Sequence, residues 1–262
     1  KFAKGDVYNK VVRGYSAQLN NSQLNNIRKD SRVKFVSEDR EVSINSHLLS
    51  VAAVQTLPTG VNRVDADLNA NEGTGVGVAV IDTGIQLNHP DLSANILANK
   101  TCVRRTSTAN DDNGHGTHVA GTIAGLNNGI GVVGVASQAK LIAVKVLDRN
   151  GSGTWSSVIC GLDWVATNAA LYNIKVANMS LGGSGISDNN CGLNNSDALH
   201  QAICRVRDAG VTIVAAAGNS NIDAATFVPA AYDDSVITGA ALADSDGKAG
   251  GTGAATSYGA DD

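Results

Sequence analysis

The sequence predicts an α/β fold built on a doubly wound parallel sheet. Short apolar runs such as 77–81 (GVAVI) are bounded by glycine-rich turns, which is typical of strands buried on both faces. These runs alternate along the chain with segments of helical length, and such alternation favours parallel strands joined by crossover helices. Hydrophobic residues make up 43% of the 262 residues, enough for a sizeable core.

The predicted elements fall into two groups. In residues 1–46 we expect an exposed antiparallel sheet from strands 8–19 and 33–36, with a short helix between them that Ser22 caps. After residue 76 the predicted order is strand 77–81, helix 115–125, strand 141–146, helix 154–168, strand 176–178, helix 196–209, strand 211–215 and a strand near 236–240.

Composition excludes two classes of partner. The net charge of −4 provides no basic surface for nucleic acid. No apolar run approaches the roughly 18 residues that a membrane span needs. We therefore expect neither a nucleic-acid nor a membrane partner.

The four cysteines have no C-x-x-C spacing, which argues against a zinc or thioredoxin-like site. Their even number suits two disulfides in an oxidising compartment. If bridges form, we expect Cys191–Cys204 and Cys102–Cys160; four buried reduced thiols are the alternative.

Two stretches contain candidate catalytic residues. The run 75–85 (GVGVAVIDTGI) ends in Asp82, as a buried parallel strand would if it presented a carboxylate at its C-terminal end. His115 lies between Gly114 and Gly116, at the start of a predicted helix whose small residues allow close packing on a sheet. A carboxylate at a strand end and a histidine at a helix start are the two orienting members of a Ser-His-Asp system.

Each of these residues has a plainer interpretation. Asp82 in Asp-Thr-Gly could simply cap a turn. His115 and His118 are three residues apart and could pair on a metal, but no third ligand recurs at matching helical spacing. The pattern 75–84 also has the glycines of a dinucleotide-binding loop, yet they precede the strand, whereas that fingerprint must follow one.

Four motifs in the same order resemble those of the subtilisin-like serine proteases, the subtilases. They are IDTGIQLNHPDL (81–92), NGHGTHVAGTIAG (113–125), NMSLGG (178–183) and AAAGNS (215–220). The resemblance implies a subtilisin-like, three-layer α/β fold and a secreted serine endopeptidase that acts on proteins or peptides as a monomer. It implies Asp82 as the residue that orients His115, His115 as general base and acid, and Asn219 as oxyanion donor.

The same resemblance implies a substrate groove and a calcium site. The groove would hold an extended peptide between two edge segments, formed by Gly151, Ser152 and Gly153 and by Ser180, Leu181 and Gly182. The structural Ca²⁺ would be bound by the side chains of Gln55, Asp91 and Asn128 and by the backbone carbonyls of Leu126, Ile130 and Val132. An all-oxygen set suits Ca²⁺. The alternatives are ordinary glycine-rich loops in both places.

Residues 14–42 resemble the C-terminal part of the subtilase propeptide, an intramolecular inhibitor. We therefore expect a partial ferredoxin-like α+β propeptide at 1–46, a linker with the processing site at 47–54, and a C-terminally incomplete peptidase domain at 55–262. The processing cut is expected between Asn45 and Gln55.

The sequence contains no G-T-S-x-A segment, the motif that carries the nucleophilic serine in subtilases. Ser257, in ATSYG, matches it poorly and follows Asn219 too closely. We expect the nucleophile to lie outside this sequence, in the parent protein. The alternative is a non-catalytic subtilase-like protein that binds peptides or inhibits.

Overall fold

The computed structural model describes residues 2–44 and 54–242. Its strands are β1 (Lys4–Tyr8), β2 (Gly14–Ala17), β3 (Glu41–Ser43), β4 (Gly77–Asp82), β5 (Ile96–Thr101), β6 (Lys140–Lys145), β7 (Ser152–Thr154), β8 (Ile174–Met179), β9 (Gly183–Ser184), β10 (Thr212–Ala216), β11 (Phe227–Val228) and β12 (Ile237–Gly239). Its α-helices are α1 (Asn21–Arg28), α2 (Thr59–Arg63), α3 (His115–Ala124), α4 (Trp155–Asn168) and α5 (Ala198–Asp208). None of these helices is long and apolar enough to cross a membrane.

A six-stranded sheet is the centre of the fold. Its strand order is β12-β10-β8-β4-β6-β5, and every neighbouring pair is parallel. Strand β4 is buried along its whole length, as its continuous apolar run predicted. The doubly wound parallel sheet expected from the sequence is confirmed.

Helices cover both faces of this sheet. Alternate residues of β4 enter two separate core clusters, because side chains along a strand point to opposite faces. Ala79 and Ile81 pack with residues of α4 and α5, whereas Val78 and Val80 pack with α3. The result is the predicted three-layer arrangement.

Both expected disulfides are present. Cys102, which follows β5, is bonded to Cys160 of α4. Cys191 is bonded to Cys204 of α5 and ties the polar insert before that helix to the helix itself.

The N-terminal segment differs in detail from its prediction. The predicted single strand 8–19 is wrong: two strands, β1 and β2, form an antiparallel hairpin instead, and residues 33–36 are not a strand. Helix α1 is capped by Asn20 rather than by Ser22, because the Asn20 side chain accepts from Gln23 N in a reciprocal capping box. The strand that follows the helix is β3, and it pairs with β7 of the larger domain instead of with the hairpin.

One strand of the main sheet was not predicted. Strand β5 (ILANKT) lies at the edge of the sheet, where its residues are only partly covered. Polar residues are tolerated at such an edge, so the apolar run that marks a central strand is missing. The other predicted elements after residue 76 have boundaries within one or two residues of those observed.

Candidate active site and peptide groove

Asp82 and His115 are in contact. Asp82 is the last residue of β4 and His115 the first of α3, and Asp82 Oδ1 lies 2.8 Å from His115 Nδ1. The carboxylate is fully buried, and the same Oδ1 accepts from Thr83 N at 2.7 Å. The imidazole retains 20% exposure of its side chain. Because Nδ1 faces the carboxylate, Nε2 points away from it.

Two glycines allow this approach. A Cβ on Gly116 would collide with the carbonyl oxygen of Gly84, and it would lie 3.1 Å from Asp82 Oδ1. Gly84 itself has φ of 107°, a conformation that side chains rarely adopt. The start of α3 can therefore lie directly on the turn that follows β4.

Asp111 organises the loop before His115. Its Oδ1 accepts from the backbone N–H groups of Asn113 and Gly114, and its Oδ2 accepts from the N–H and hydroxyl of Thr117. Burial raises the pKa of Asp111, but these hydrogen bonds outweigh that effect and leave it below its ordinary value. This role of Asp111 was not predicted, although an aspartate just before a helix start is typical of a capping residue.

The pKa of His115 is raised. Burial alone would lower it, but the hydrogen bond that His115 donates to Asp82 and the charges of Asp82 and Asp111 outweigh burial. These surroundings therefore stabilise the protonated ring more than water does.

A buried lysine lies beneath the pair. Lys145, fully buried at the end of β6, donates from Nζ to the carbonyls of Thr83 and Leu147 and to Asp112 Oδ1, at 2.6, 2.9 and 2.6 Å. It thereby joins the strand end that carries Asp82 to the loop that carries His115. A single lysine within the apolar run LIAVKV was the available signal, since lysine is rarely buried without partners.

Strand β3 occupies the groove predicted for substrate. It runs antiparallel to β7, with Val42 opposite Gly153 and Ser43 opposite Ser152. On its other side Ser43 and Gly182 exchange two backbone hydrogen bonds, at 3.3 and 3.4 Å. Ile44 N donates to Gly151 O at 3.0 Å. The tail of the N-terminal segment thus lies between the two predicted edge segments.

The remaining predicted groove residues lie beside this tail. Leu181 is buried, and the hydroxyl of Ser180 accepts from the side-chain amide of Asn178. Asn219 is exposed in the turn after β10. Parallel strands end at one edge of a sheet, so Asn219 and Ser180 follow strands that end on the same side as Asp82. Ser257 and most of the linker 47–54 lie outside the described residues.

The predicted calcium ligands gather around the loop 126–132. Asp91 is buried; its Oδ2 accepts from Val132 N at 2.9 Å, while its Oδ1 has no hydrogen-bond partner among the described residues. The side-chain N–H of Gln55 donates to Leu126 O, and its Oε1 accepts from Gly129 N at 3.1 Å. A buried carboxylate oxygen without a donor, next to a loop rich in backbone carbonyls, fits a hard cation.

The structure gives weaker support to two of the predicted calcium ligands, Asn128 and Ile130. Asn128 Oδ1 accepts from Ile130 N at 3.0 Å, within its own turn, and Ile130 is partly exposed. A Cβ at Gly131 would collide with Asp91 Oδ2, so a glycine is needed there for the loop to approach the carboxylate.

Comparison with known proteins decides the family. The model of the Subtilase family matches residues 73–260, and that of the Peptidase inhibitor I9 family matches residues 1–45. The chain belongs to the subtilase family. Its N-terminal segment is therefore a propeptide-type inhibitor module, and β3 is the tail of that module seated in the groove of the subtilase domain.

Several curated subtilase relatives are similar over most of this chain. It is 41% identical over 219 residues to the thermostable alkaline protease of Halalkalibacterium halodurans, covering 82% of this chain and 54% of that protein. It is 38% identical over 238 residues to subtilisin E of Bacillus subtilis, covering 88% and 56%. It is 38% identical over 242 residues to alkaline serine exoprotease A of Vibrio alginolyticus, covering 89% and 42%. The chain spans about half the length of the curated relatives it matches.

Proposed function

We propose that the parent protein is a serine endopeptidase of the subtilisin type, made as a self-inhibited precursor. His115 takes the proton of a serine hydroxyl as that serine attacks the peptide carbonyl, and later returns it to the leaving amine. Asp82 orients His115 and stabilises the imidazolium, and Asn219 with a backbone N–H stabilises the oxyanion. Proteins or peptides would be the substrates.

The Asp82–His115 contact carries this proposal. The carboxylate is buried, the imidazole is partly open, and the raised pKa of His115 favours the imidazolium that forms during acyl transfer. The groove beside it binds an extended chain by backbone pairing on both edges, which is how a peptide substrate would be held.

The propeptide module supports the self-inhibited precursor. Its tail occupies the groove, so a substrate could not pair with residues 151–153 and 182 at the same time. We propose the division already given, with the module at 1–46, a processing linker at 47–54 and the peptidase domain from 55. Secretion as a monomer is part of the proposal and is supported by the two disulfides, which persist in oxidising compartments.

A serine-directed phosphonate probe tests the activity. The full-length protein, after processing, is treated with the probe and the adduct is located by peptide mapping. We expect one labelled serine, in a segment beyond residue 262. Labelling of Ser257 would overturn the assignment of the nucleophile. The absence of any labelling and of any peptide cleavage would favour the non-catalytic alternative.

We further propose a structural Ca²⁺ held by Gln55, Asp91, Asn128 and the carbonyls of the loop 126–132. The unpartnered Asp91 Oδ1 supports this site. A cation bound only to the native state stabilises it by mass action. Adding a chelator should lower the melting temperature, and Asp91→Asn should abolish that difference. A melting temperature that is indifferent to chelator would contradict the site.

A further inference from the structure

The propeptide tail places an arginine on the wall of the groove. The carbonyl of Arg40 accepts from Trp155 N at 3.0 Å, so Arg40 belongs to the same paired stretch as β3. Alternate residues of an extended chain point to the same side. Arg40 therefore shares a side with Val42, which is 2% exposed, while the side chain of Glu41 is exposed.

The guanidinium of Arg40 contacts a backbone carbonyl and lies near a carboxylate. Its Nη1 donates to the carbonyl of Ser184 at 3.0 Å, and its Nη2 lies 4.0 Å from Asp197 Oδ2. Gly185 allows the guanidinium to lie here. A Cβ at this position would lie 3.4 Å from Nη1 and 2.6 Å from a methyl group of Val228.

Asp197 is held in place without help from the tail. Its side chain is 8% exposed, and its Oδ1 caps α5 by accepting from Leu199 N and His200 N. Its Oδ2 accepts from the hydroxyl of Tyr232 at 2.7 Å. The subtilase domain thus holds a preformed carboxylate on the wall of the groove, 4.0 Å from Arg40 Nη2.

The surroundings leave space for a long side chain. An open cleft of about 440 Å³ borders Arg40 and Asp197, and Ile186, Asn195 and Thr226 line it from the side of the domain. A guanidinium could move closer to Asp197 within this cleft without displacing the backbone of the peptide.

We propose that Asp197 and the carbonyl of Ser184 form a subsite for a basic side chain, arginine above all, in the peptide bound to the groove. This residue stands two positions before the one that takes the place of Val42. Arginine fits better than lysine because its planar group donates in two fixed directions, one toward the carbonyl and one toward the carboxylate. The inference rests on the proposed protease function and names a specificity-determining residue for it.

The test uses the full-length processed protease and quenched fluorogenic peptides that carry residues 36–52. The first peptide keeps the natural sequence, and the second carries Arg40→Gln. We expect kcat/KM to fall about three- to tenfold for the second, because one charge-assisted contact in a partly exposed site is lost. The loss should appear mainly in KM, since the contact is present before and during the reaction.

A register control distinguishes this subsite from simple charge attraction. A third peptide carries Arg40→Gln together with Glu41→Arg, which moves the arginine to the opposite side of the strand. We expect it to be no better a substrate than the Arg40→Gln peptide. If it is cleaved as well as the natural peptide, the preference is general attraction and the subsite is wrong.

The enzyme variant Asp197→Asn tests whether this carboxylate causes the preference for arginine. Asparagine still caps a helix, so α5 can be retained. The ratio of kcat/KM between the natural and Arg40→Gln peptides should fall to within about twofold, and in the wild type that ratio should shrink as salt is raised. A ratio that persists in Asp197→Asn would overturn the role of Asp197.

The outcomes separate the two proposals. If Asp197→Asn fails to fold, the three peptides and the salt series with the wild-type enzyme still decide the inference. Equal cleavage of the natural and Arg40→Gln peptides overturns the subsite and leaves the protease proposal standing. Failure to cleave any peptide overturns the proposed function itself.

Discussion

Two histidines of this domain contact aspartates, yet their surroundings differ. His115 Nδ1 lies 2.8 Å from Asp82, while 20% of the side chain remains exposed. His200 is fully buried, with Nε2 2.6 Å from Asp234 Oδ1 and Nδ1 3.4 Å from Asp188 Oδ1. A carboxylate beside an imidazole is therefore not by itself a sign of catalysis. What distinguishes His115 is a second ring nitrogen that points away from the carboxylate, in a side chain that stays partly exposed.

The packing around His200 explains its different role. Its ring stacks on Tyr232 with centroids 3.9 Å apart and planes 5° apart. Asp188 and Asp234 also accept backbone N–H groups of the insert that the Cys191–Cys204 disulfide closes, from Gly192 and Cys191 respectively. Nε2 is hydrogen-bonded to Asp234, and Nδ1 is buried near Asp188, so His200 packs the insert against α5 and cannot readily exchange a proton with a substrate.

Asp82→Asn in the full-length protein should have the largest effect. Loss of the carboxylate removes the group that fixes the tautomer of His115, so turnover should fall about ten-thousandfold. The free energy of unfolding should change little, because the asparagine is close in size. Turnover is measured by active-site titration and initial rates, and stability by denaturant unfolding. Near-wild-type turnover would contradict the assignment of Asp82.

His200→Gln should show the opposite pattern. Removing the buried imidazole removes the contact with Asp234 Oδ1 and the stack on Tyr232, so the free energy of unfolding should fall by about 2 kcal/mol. The turnover number of the folded fraction should stay near that of the wild type. His118→Gln is the matched control, since this exposed histidine should change stability by less than about 0.5 kcal/mol. Equal stability of the two variants would remove the distinction between the histidines.

The smallest expected effect is the change of stability and activity with pH as His115 titrates. It tests the surroundings of this histidine directly. Its raised pKa means that protonation stabilises the folded protein fully below about pH 6.5, the unfolded value, and that this contribution is lost as pH rises through the folded pKa. Activity should rise over the same interval, since the general base must be neutral. Titration of the His115 ring by NMR should give a pKa above 6.5 that falls in Asp82→Asn. A wild-type value below 6.5 would contradict the balance of effects described above.

Local sequence was sufficient to predict an element that is buried on both faces or bounded by a glycine-rich turn. The apolar run of β4 and the small residues of α3 predicted the elements that carry Asp82 and His115, because burial and close packing restrict residue type locally. The roles of those residues stay predictions, but their contact followed from the strand end and the helix start meeting at one edge of the sheet.

Only the tertiary structure revealed the strands and buried charges whose hydrogen-bond partners lie far away in sequence. Strand β3 has too few residues to be recognised alone, and it forms because β7 and Gly182 supply its hydrogen bonds. The apolar run around Lys145 marks an unusual lysine, but only the structure identifies Thr83, Leu147 and Asp112 as the partners of its ammonium group. The sequence by itself determined which residues could do chemistry and the class of fold that holds them. Folding decided which of them meet, because a buried charge or a short strand is stable only where distant residues complete its hydrogen bonds.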